Sequence, residues 1–306
     1  MPRVIPFAGY GGDGWVRVLA RVVLAKPDSP RGDLVQGARG WRSFTSIPLS
    51  HAVVTVTAGG RTHTLTADRG GVVDDRIPVD LPPGRTTIGI AAEGDQPIEA
   101  TVAIIDSSAR FGIVSDVDDT VMVTALPRPF LAAWNTFVLN EHARRPVPGM
   151  SVLYERLTKQ HPGAPVIYLS TGAWNVAPTL TRFLGRNLYP KGALLLTDWG
   201  PTHDRWFRSG QAHKRGSLRR LAEEFPNVRW LLVGDDGQHD EELYAEFARE
   251  HPESVAAIAI RQLTPGEAVL AGGRSAAEER GTAAQWIYSP DGAGLSDQLS
   301  ELGILR

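Results

Sequence analysis

Phe111-Gly-Ile-Val-Ser-Asp-Val-Asp-Asp-Thr-Val121 is an apolar run that ends in a cluster of carboxylates. Phe111, Ile113 and Val114 read as a short buried strand, and Asp116 and Asp118 stand where that strand should end. Carboxylates two apart at the C-terminal end of a strand point into the crevice where open α/β sheets bind ligands. Two plainer readings compete, a calcium loop and an acidic surface turn. An EF-hand requires Gly where Val121 stands and Glu where Pro127 stands, so the calcium loop fits poorly. Context must decide the rest.

Working outward, the chain changes rhythm close to residue 106. Before it, Trp15–Leu24, His51–Thr57, Arg61–Thr66, Arg85–Ile90 and Ile98–Ile104 alternate and are rich in Val, Ile and Thr, separated by Gly-Gly and Pro-Pro-Gly turns. That spacing predicts a small all-β sandwich over 1–106. After it, strands alternate with helices, the mark of a parallel α/β sheet over 107–306. Strands are expected at 111–115, 165–170, 193–197, 228–234, 255–261 and 285–288. Helices are expected at 151–160, 176–188, 213–225, 240–250 and 294–303. Gly9-Tyr-Gly11-Gly-Asp-Gly14 matches the dinucleotide fingerprint by letter, but an alternating strand follows where a helix N-terminus is needed. It reads as a glycine-rich loop.

Bulk properties set the limits. A length of 306 predicts about two domains, and a 42% hydrophobic fraction supports a full core. Gly 32 and Pro 22 stay below the level of low complexity. Net charge is −2, so nothing in the balance argues for nucleic acid. The chain has no cysteine, which excludes disulfides, thiolate catalysis and zinc–thiolate sites and suits a reducing compartment. No signal peptide or membrane span is visible. A soluble, cytoplasmic protein with at most peripheral membrane contact is expected.

Asp116-x-Asp118-x-Thr120 resembles the nucleophile motif of haloacid-dehalogenase-type phosphotransferases, which implies that Asp116 attacks phosphorus and Asp118 serves as acid and base. Three more groups should then reach the same sheet edge in chain order. Val166-Ile-Tyr-Leu-Ser170-Thr171 supplies a hydroxyl to donate to a phosphoryl oxygen, Ser170 first and Thr171 in reserve. Ser and Thr also begin many helices as caps. Lys214 opens an amphipathic helix one turn before Leu218, on its inward side. It is one of only four lysines among 32 basic residues, and a compact ammonium suits a tight site better than a guanidinium. An exposed lysine at a helix start is the plain alternative. Trp230-Leu-Leu-Val-Gly-Asp235-Asp236-Gly-Gln-His-Asp240 supplies a second acidic strand end. Mg²⁺ prefers oxygen and takes one or two protein carboxylates, here Asp116 and Asp235 with the carbonyl of Asp118. A turn at 235–237 and a helix cap at Asp240 are the alternatives.

Ser115–Val121, Pro146–Met150, Tyr168–Trp174, Leu196–Gly200, Phe207–Gly210, His213-Lys214 and Val233–Asp240 together resemble bacterial members of the actin-patch-protein phosphatidate phosphatase family over roughly 106–290. The resemblance implies a haloacid-dehalogenase-type, Rossmann-like sheet without a large cap. It also implies Mg²⁺-dependent hydrolysis of phosphatidate to diacylglycerol through an aspartyl-phosphate. Matched by position, Asp116 is nucleophile, Asp118 general acid/base, Ser170 and Lys214 phosphoryl stabilisers, and Asp235 with Asp240 the second acidic pair. Asp236, Glu241 and Ser170-Thr-Gly-Ala-Trp174 depart from the commoner family strings, which bears on the lipid more than on the chemistry. A phosphatase of soluble phosphomonoesters is the runner-up. A non-catalytic phosphatidate-sensing module is the other alternative, and Asp116 with Asp118 argues against it.

Between Thr120 and Pro146, Phe130, Leu131, Trp134, Phe137 and Val138 fall on one helical face, and Arg128, Arg144 and Arg145 flank it. Such a helix could meet an anionic bilayer, although an apolar stripe is most often core. Arg208 is expected as a phosphate contact at the mouth. His203, His213 and His239 are too scattered for a metal triad.

Overall fold

Backbone pairing joins nine strands into an all-β region. The computed structural model describes residues 1–25, 47–123, 145–197, 203–237, 239–270 and 281–306. The strands are β1 (Pro2–Pro6), β2 (Gly9–Gly12), β3 (Trp15–Leu24), β4 (Ile47–Pro48), β5 (Val53–Ala58), β6 (Arg61–Thr66), β7 (Val72–Pro78), β8 (Gly84–Ala92) and β9 (Ile98–Ile104). β3 is the pivot, with β1 and β2 along one edge and β4 and β7 along the other. The ladder continues from β2 through β9, β8 and β5 to β6. Alternation sends Val16, Val18 and Val22, Val54 and Val56, Ile88 and Ile90, and Val102 into one buried cluster. Gly9–Gly12, expected as a loop, is strand β2. Ladder bonds come from the backbone, and β3 and β9 offer it an edge on each side.

The second half begins with β10 (Phe111–Asp116) and a short antiparallel pair, β11 (Met122–Val123) and β12 (Arg145–Pro146). Then follow α1 (Met150–Gln160), β13 (Val166–Ala173), α2 (Ala177–Arg186), β14 (Ala193–Thr197), α3 (His203–Glu224) and β15 (Arg229–Asp235). The remainder is α4 (Asp240–Glu250), β16 (Val255–Arg261), α5 (Pro265–Leu270), β17 (Trp286–Ser289) and α6 (Gly292–Glu301). The six longer strands form one parallel sheet in the order β14-β13-β10-β15-β16-β17. Counted from β10 this runs third, second, first, fourth, fifth, sixth, so direction switches between β10 and β15, where doubly wound sheets bind ligands. Ile113, Val114 and Leu231 to Val233 are fully buried, as strands covered on both faces must be.

One helix departs from expectation. α3 begins at His203, ten residues before the expected start, so Lys214 lies inside a helix rather than opening it. In the structure Gly210 lets the helix close on β13, where a Cβ would stand 3.0 Å from the Thr171 methyl.

The all-β region touches the second half just after β13 and at the end of α3. Phe7 stacks on Trp174, four residues after Ser170, with ring centroids 4.8 Å apart. Tyr10 and Trp15 pack against Phe225, and Glu224 at the end of α3 accepts from the Tyr10 hydroxyl at 2.9 Å and Arg17 Nη2 at 2.8 Å. Each buried aromatic contributes about 2–3 kcal/mol, and stacking adds about 1 kcal/mol.

Candidate active site

Register fixes the first two carboxylates. Ser115 of β10 is level with Val233 of β15, so Asp116 and Asp235 end neighbouring strands on either side of the switch. α3 supplies Lys214 from its buried face, in line with Leu218 and Leu221. α4 supplies Asp240 from its first turn, with His239 as the preceding cap residue, so Asp240 is not the cap. Gly234 makes room for it, because a Cβ there would sit 2.7 Å from Asp240 Oδ2.

The four side chains meet. Lys214 Nζ donates to Asp116 Oδ1 at 2.6 Å and to Asp240 Oδ1 at 2.7 Å. Asp116, Asp235 and Asp240 each offer an oxygen within 4.8 Å of the others. All four residues are buried. Three carboxylates facing one ammonium leave two negative charges uncompensated, and the donors are all hard oxygens. A divalent, oxygen-preferring cation fits that deficit and donor set.

Electrostatics follow from burial. Burial pushes the Asp116 carboxyl well up, Lys214 pulls it back down, and Asp240 and Asp118 push it up again. Burial and then Asp240 and Asp116 raise Asp235. Burial works against the Lys214 ammonium, but Asp116 and Asp240 outweigh it and keep the group protonated. A carboxyl raised above its unfolded value binds its proton more tightly in the folded state. Stability is therefore lost as pH climbs from the unfolded value to the folded one, and the penalty persists above it. Asp235→Asn is thus expected to stabilise the metal-free protein by about 1 kcal/mol or more at pH 8 and to have little effect near pH 4. Urea midpoints in chelator at the two pH values check this. Equal or lower stability at pH 8 would contradict it.

Asp118 is half-buried, and its Oδ2 accepts from Ser170 Oγ at 3.2 Å. The Gly172 amide donates to the same hydroxyl at 3.0 Å. Of the two strand-end hydroxyls it is therefore Ser170 that reaches Asp118. Thr171 contributes its carbonyl, which accepts from Thr197 Oγ1 at 2.8 Å. Thr120 is fully buried, and its hydroxyl has no hydrogen-bond partner among the described residues. Asp236 turns away from the carboxylate cluster, accepting from the Leu263 amide at 2.8 Å. His213 bonds the Leu195 carbonyl, and burial holds it neutral with a pKa of about 4, so it brings no charge beside Lys214.

Phe130, Trp134 and Arg144 lie outside the described residues, as does the side chain of Arg208 on α3. Arg145 is exposed on β12. Sequence reasoning missed Arg261 and Asp119. Arg261 ends β16 in register with Asp235, is buried, and donates to the Asp119 carbonyl at 2.8 Å. The signal was present: an arginine closes the apolar run Val255-Ala-Ala-Ile-Ala-Ile260 at the same sheet edge as the carboxylates.

Residues 111–262, just under half of the chain, match the family described as phosphatidate phosphatase APP1, catalytic domain. The chain is similar to phosphatidate phosphatase APP1 of Saccharomyces cerevisiae, 24% identical over 207 residues, covering 64% of this chain and 34% of the yeast protein. It is also similar to an uncharacterized protein of Schizosaccharomyces pombe, 27% identical over 172 residues, covering 55% of this chain and 28% of that one. The chain thus spans about a third of the length of the curated relatives it matches. A solved structure described as a novel carbohydrate acetylesterase from Xanthomonas citri has a TM-score of 0.29 at 10% identity, covering 86% of this chain and 68% of that one. So slight a likeness carries no argument. The family match supports the resemblance read from the motifs.

Proposed function

We propose that the chain is a Mg²⁺-dependent phosphatidate phosphatase of haloacid-dehalogenase type, acting through an aspartyl-phosphate on Asp116. The observation that carries the reading is the buried cluster in which Lys214 bridges Asp116 and Asp240 beside Asp235. The proposal includes a division near residue 106 into an all-β region and a catalytic region.

Asp116 Oδ attacks phosphorus, and the bond from phosphorus to the ester oxygen breaks. Asp118, two residues further along, gives its proton to the departing alkoxide. It then takes a proton from water as that water attacks the same phosphorus, releasing phosphate and regenerating Asp116. Splitting one displacement into two lowers the barrier of each. Lys214 opposes the upward push of burial on the Asp116 carboxyl and would offset phosphoryl charge. Ser170, which accepts from the Gly172 amide and donates to Asp118, would turn its hydroxyl proton to a phosphoryl oxygen when substrate binds. Asp116, Asp235 and Asp240 would hold the metal together with the Asp118 carbonyl, and the metal would supply charge neutralisation for the phosphoryl group.

Among the described residues no helix is long and apolar enough to cross a membrane. A lipid headgroup would then be reached by docking at a bilayer surface. The test is phosphate release from phosphatidate in anionic mixed micelles, from lysophosphatidate and from a soluble aryl phosphate, before and after exhaustive chelation. Phosphatidate is expected to be the best substrate, with activity lost on chelation, restored by Mg²⁺ and not by Zn²⁺. Equal or better efficiency on the aryl phosphate would favour the soluble-substrate reading. Full activity after chelation would exclude the metal. Trp134→Ala and Phe130→Ala should slow lipid turnover and spare the soluble ester if that segment docks on the bilayer.

A further inference from the structure

We infer that Arg261 is a positioning residue for the acid/base Asp118, holding the turn that follows it in a conformation the turn would not keep unaided. The inference rests on the proposed role of Asp118.

The turn is unusual in its backbone. Asp119 has φ of +56°, a left-handed conformation uncommon for a non-glycine residue, although Asp enters it more readily than most. Two bonds hold it here. The Asp119 amide donates to the Met122 carbonyl at 2.7 Å, and the Asp119 carbonyl accepts from Arg261 Nη1 at 2.8 Å. The amide lies in the Asp118–Asp119 peptide and the carbonyl in the Asp119–Thr120 peptide, so the two bonds fix the backbone on both sides of Asp119. A change of its φ and ψ would shift the adjoining Asp118, whose carboxylate accepts from Ser170 Oγ at 3.2 Å.

Arg261 is itself fixed on every side. Its Nη2 donates to both Glu267 oxygens, at 2.8 and 3.0 Å, and its Nε reaches the Pro290 carbonyl at 3.3 Å. Glu267 is placed by a reciprocal cap at the start of α5: the Thr264 amide donates to Glu267 Oε2 at 2.8 Å, and the Glu267 amide to Thr264 Oγ1 at 3.3 Å. The backbone of Arg261 serves the other acidic loop, its carbonyl accepting from the Asp236 amide at 2.9 Å. One residue therefore ties the turn after Asp118 to the turn after Asp235 through a rigid, planar donor set. A lysine ammonium has no such planar fork with which to hold Asp119, Glu267 and Pro290 together.

The test measures kcat, KM and melting temperature of Arg261→Gln, Arg261→Lys and Glu267→Gln in the full chain on a soluble aryl phosphate with Mg²⁺, beside Asp118→Asn. Arg261→Gln is expected to lose about 100-fold in kcat, with KM changed less than about threefold, while remaining folded. Arg261→Lys should recover at most part of that loss. Glu267→Gln, which leaves the guanidinium in place but loosens it, should lose about tenfold and serves if Arg261→Gln does not fold. Unchanged kcat in a folded variant, a loss confined to KM, or full recovery by lysine would overturn the inference. Wild-type turnover by Asp118→Asn would instead overturn the role of Asp118, which separates the two failures.

Discussion

Asp116→Asn is expected to abolish phosphate release, lowering kcat by a factor on the order of 10⁴ or more, while the protein stays folded. The amide oxygen is a poor nucleophile and cannot yield the acyl phosphate on which the second displacement depends. The fold has no reason to fail. Asn keeps the shape of Asp, and its carbonyl oxygen can still accept the bond that Lys214 Nζ makes to Oδ1 at 2.6 Å. It also removes one of three carboxylates that share a single ammonium, so the metal-free variant should melt no lower than the wild type at neutral pH. Asp118→Asn should be nearly as damaging, because leaving-group protonation and water activation both need that carboxyl. A phosphate-release assay with circular dichroism on the same preparation checks both points. Substantial turnover by Asp116→Asn free of wild-type contamination would sink the covalent route.

Asp116 and Asp235 were legible because each ends a recognisable apolar strand. Phe111–Asp116 and Arg229–Asp235 are buried on both faces, so they read as continuous apolar runs, and the residue that breaks each run marks the crevice. Lys214 was legible through its spacing from Leu218 but was assigned to a helix start, whereas the helix runs on through Gly210, whose close approach to Thr171 cannot be seen in sequence. β2 was missed for a related reason. A strand of Gly9-Tyr-Gly-Gly12 carries almost no side-chain signal, and its existence depends on the edges that β3 and β9 offer. Arg261 was passed over although it closes an apolar run at the same sheet edge, because its role lies in a bond to a backbone carbonyl 142 residues away in sequence. Bonds to backbone leave no residue-type pattern to read. The metal cluster shows the same limit: sequence gave Asp240 a supporting place, whereas the geometry brings it within 4.8 Å of Asp116 and Asp235.

Lys214→Met should damage stability and chemistry together. Lys214 Nζ lies between Asp116 Oδ1 and Asp240 Oδ1, and both of its bonds are buried. Removing it leaves three buried carboxylates with no cation among them, and breaking a buried pair from one side typically costs about 3–5 kcal/mol. Methionine fills a similar volume, so little of the loss would come from a cavity. The pH dependence gives the cause away. Burial already holds Asp116 and Asp235 above the usual carboxylate range, and without the ammonium they rise further. Groups with raised folded values destabilise as pH climbs through the interval between unfolded and folded values, so the deficit should be large at pH 8 and shrink toward pH 4. On the kinetic side, losing the charge that offsets the phosphoryl group should lower kcat by about 10²–10³-fold on lipid and soluble substrates alike. Lys214→Arg should rescue little, because a planar guanidinium cannot take the place of a compact ammonium held between two carboxylates at 2.6 and 2.7 Å. Urea midpoints across pH 4–8, with steady-state rates at pH 7, measure both effects. A deficit independent of pH, or a variant that turns over at the wild-type rate, would mean that the ammonium neither balances the carboxylates nor serves the reaction.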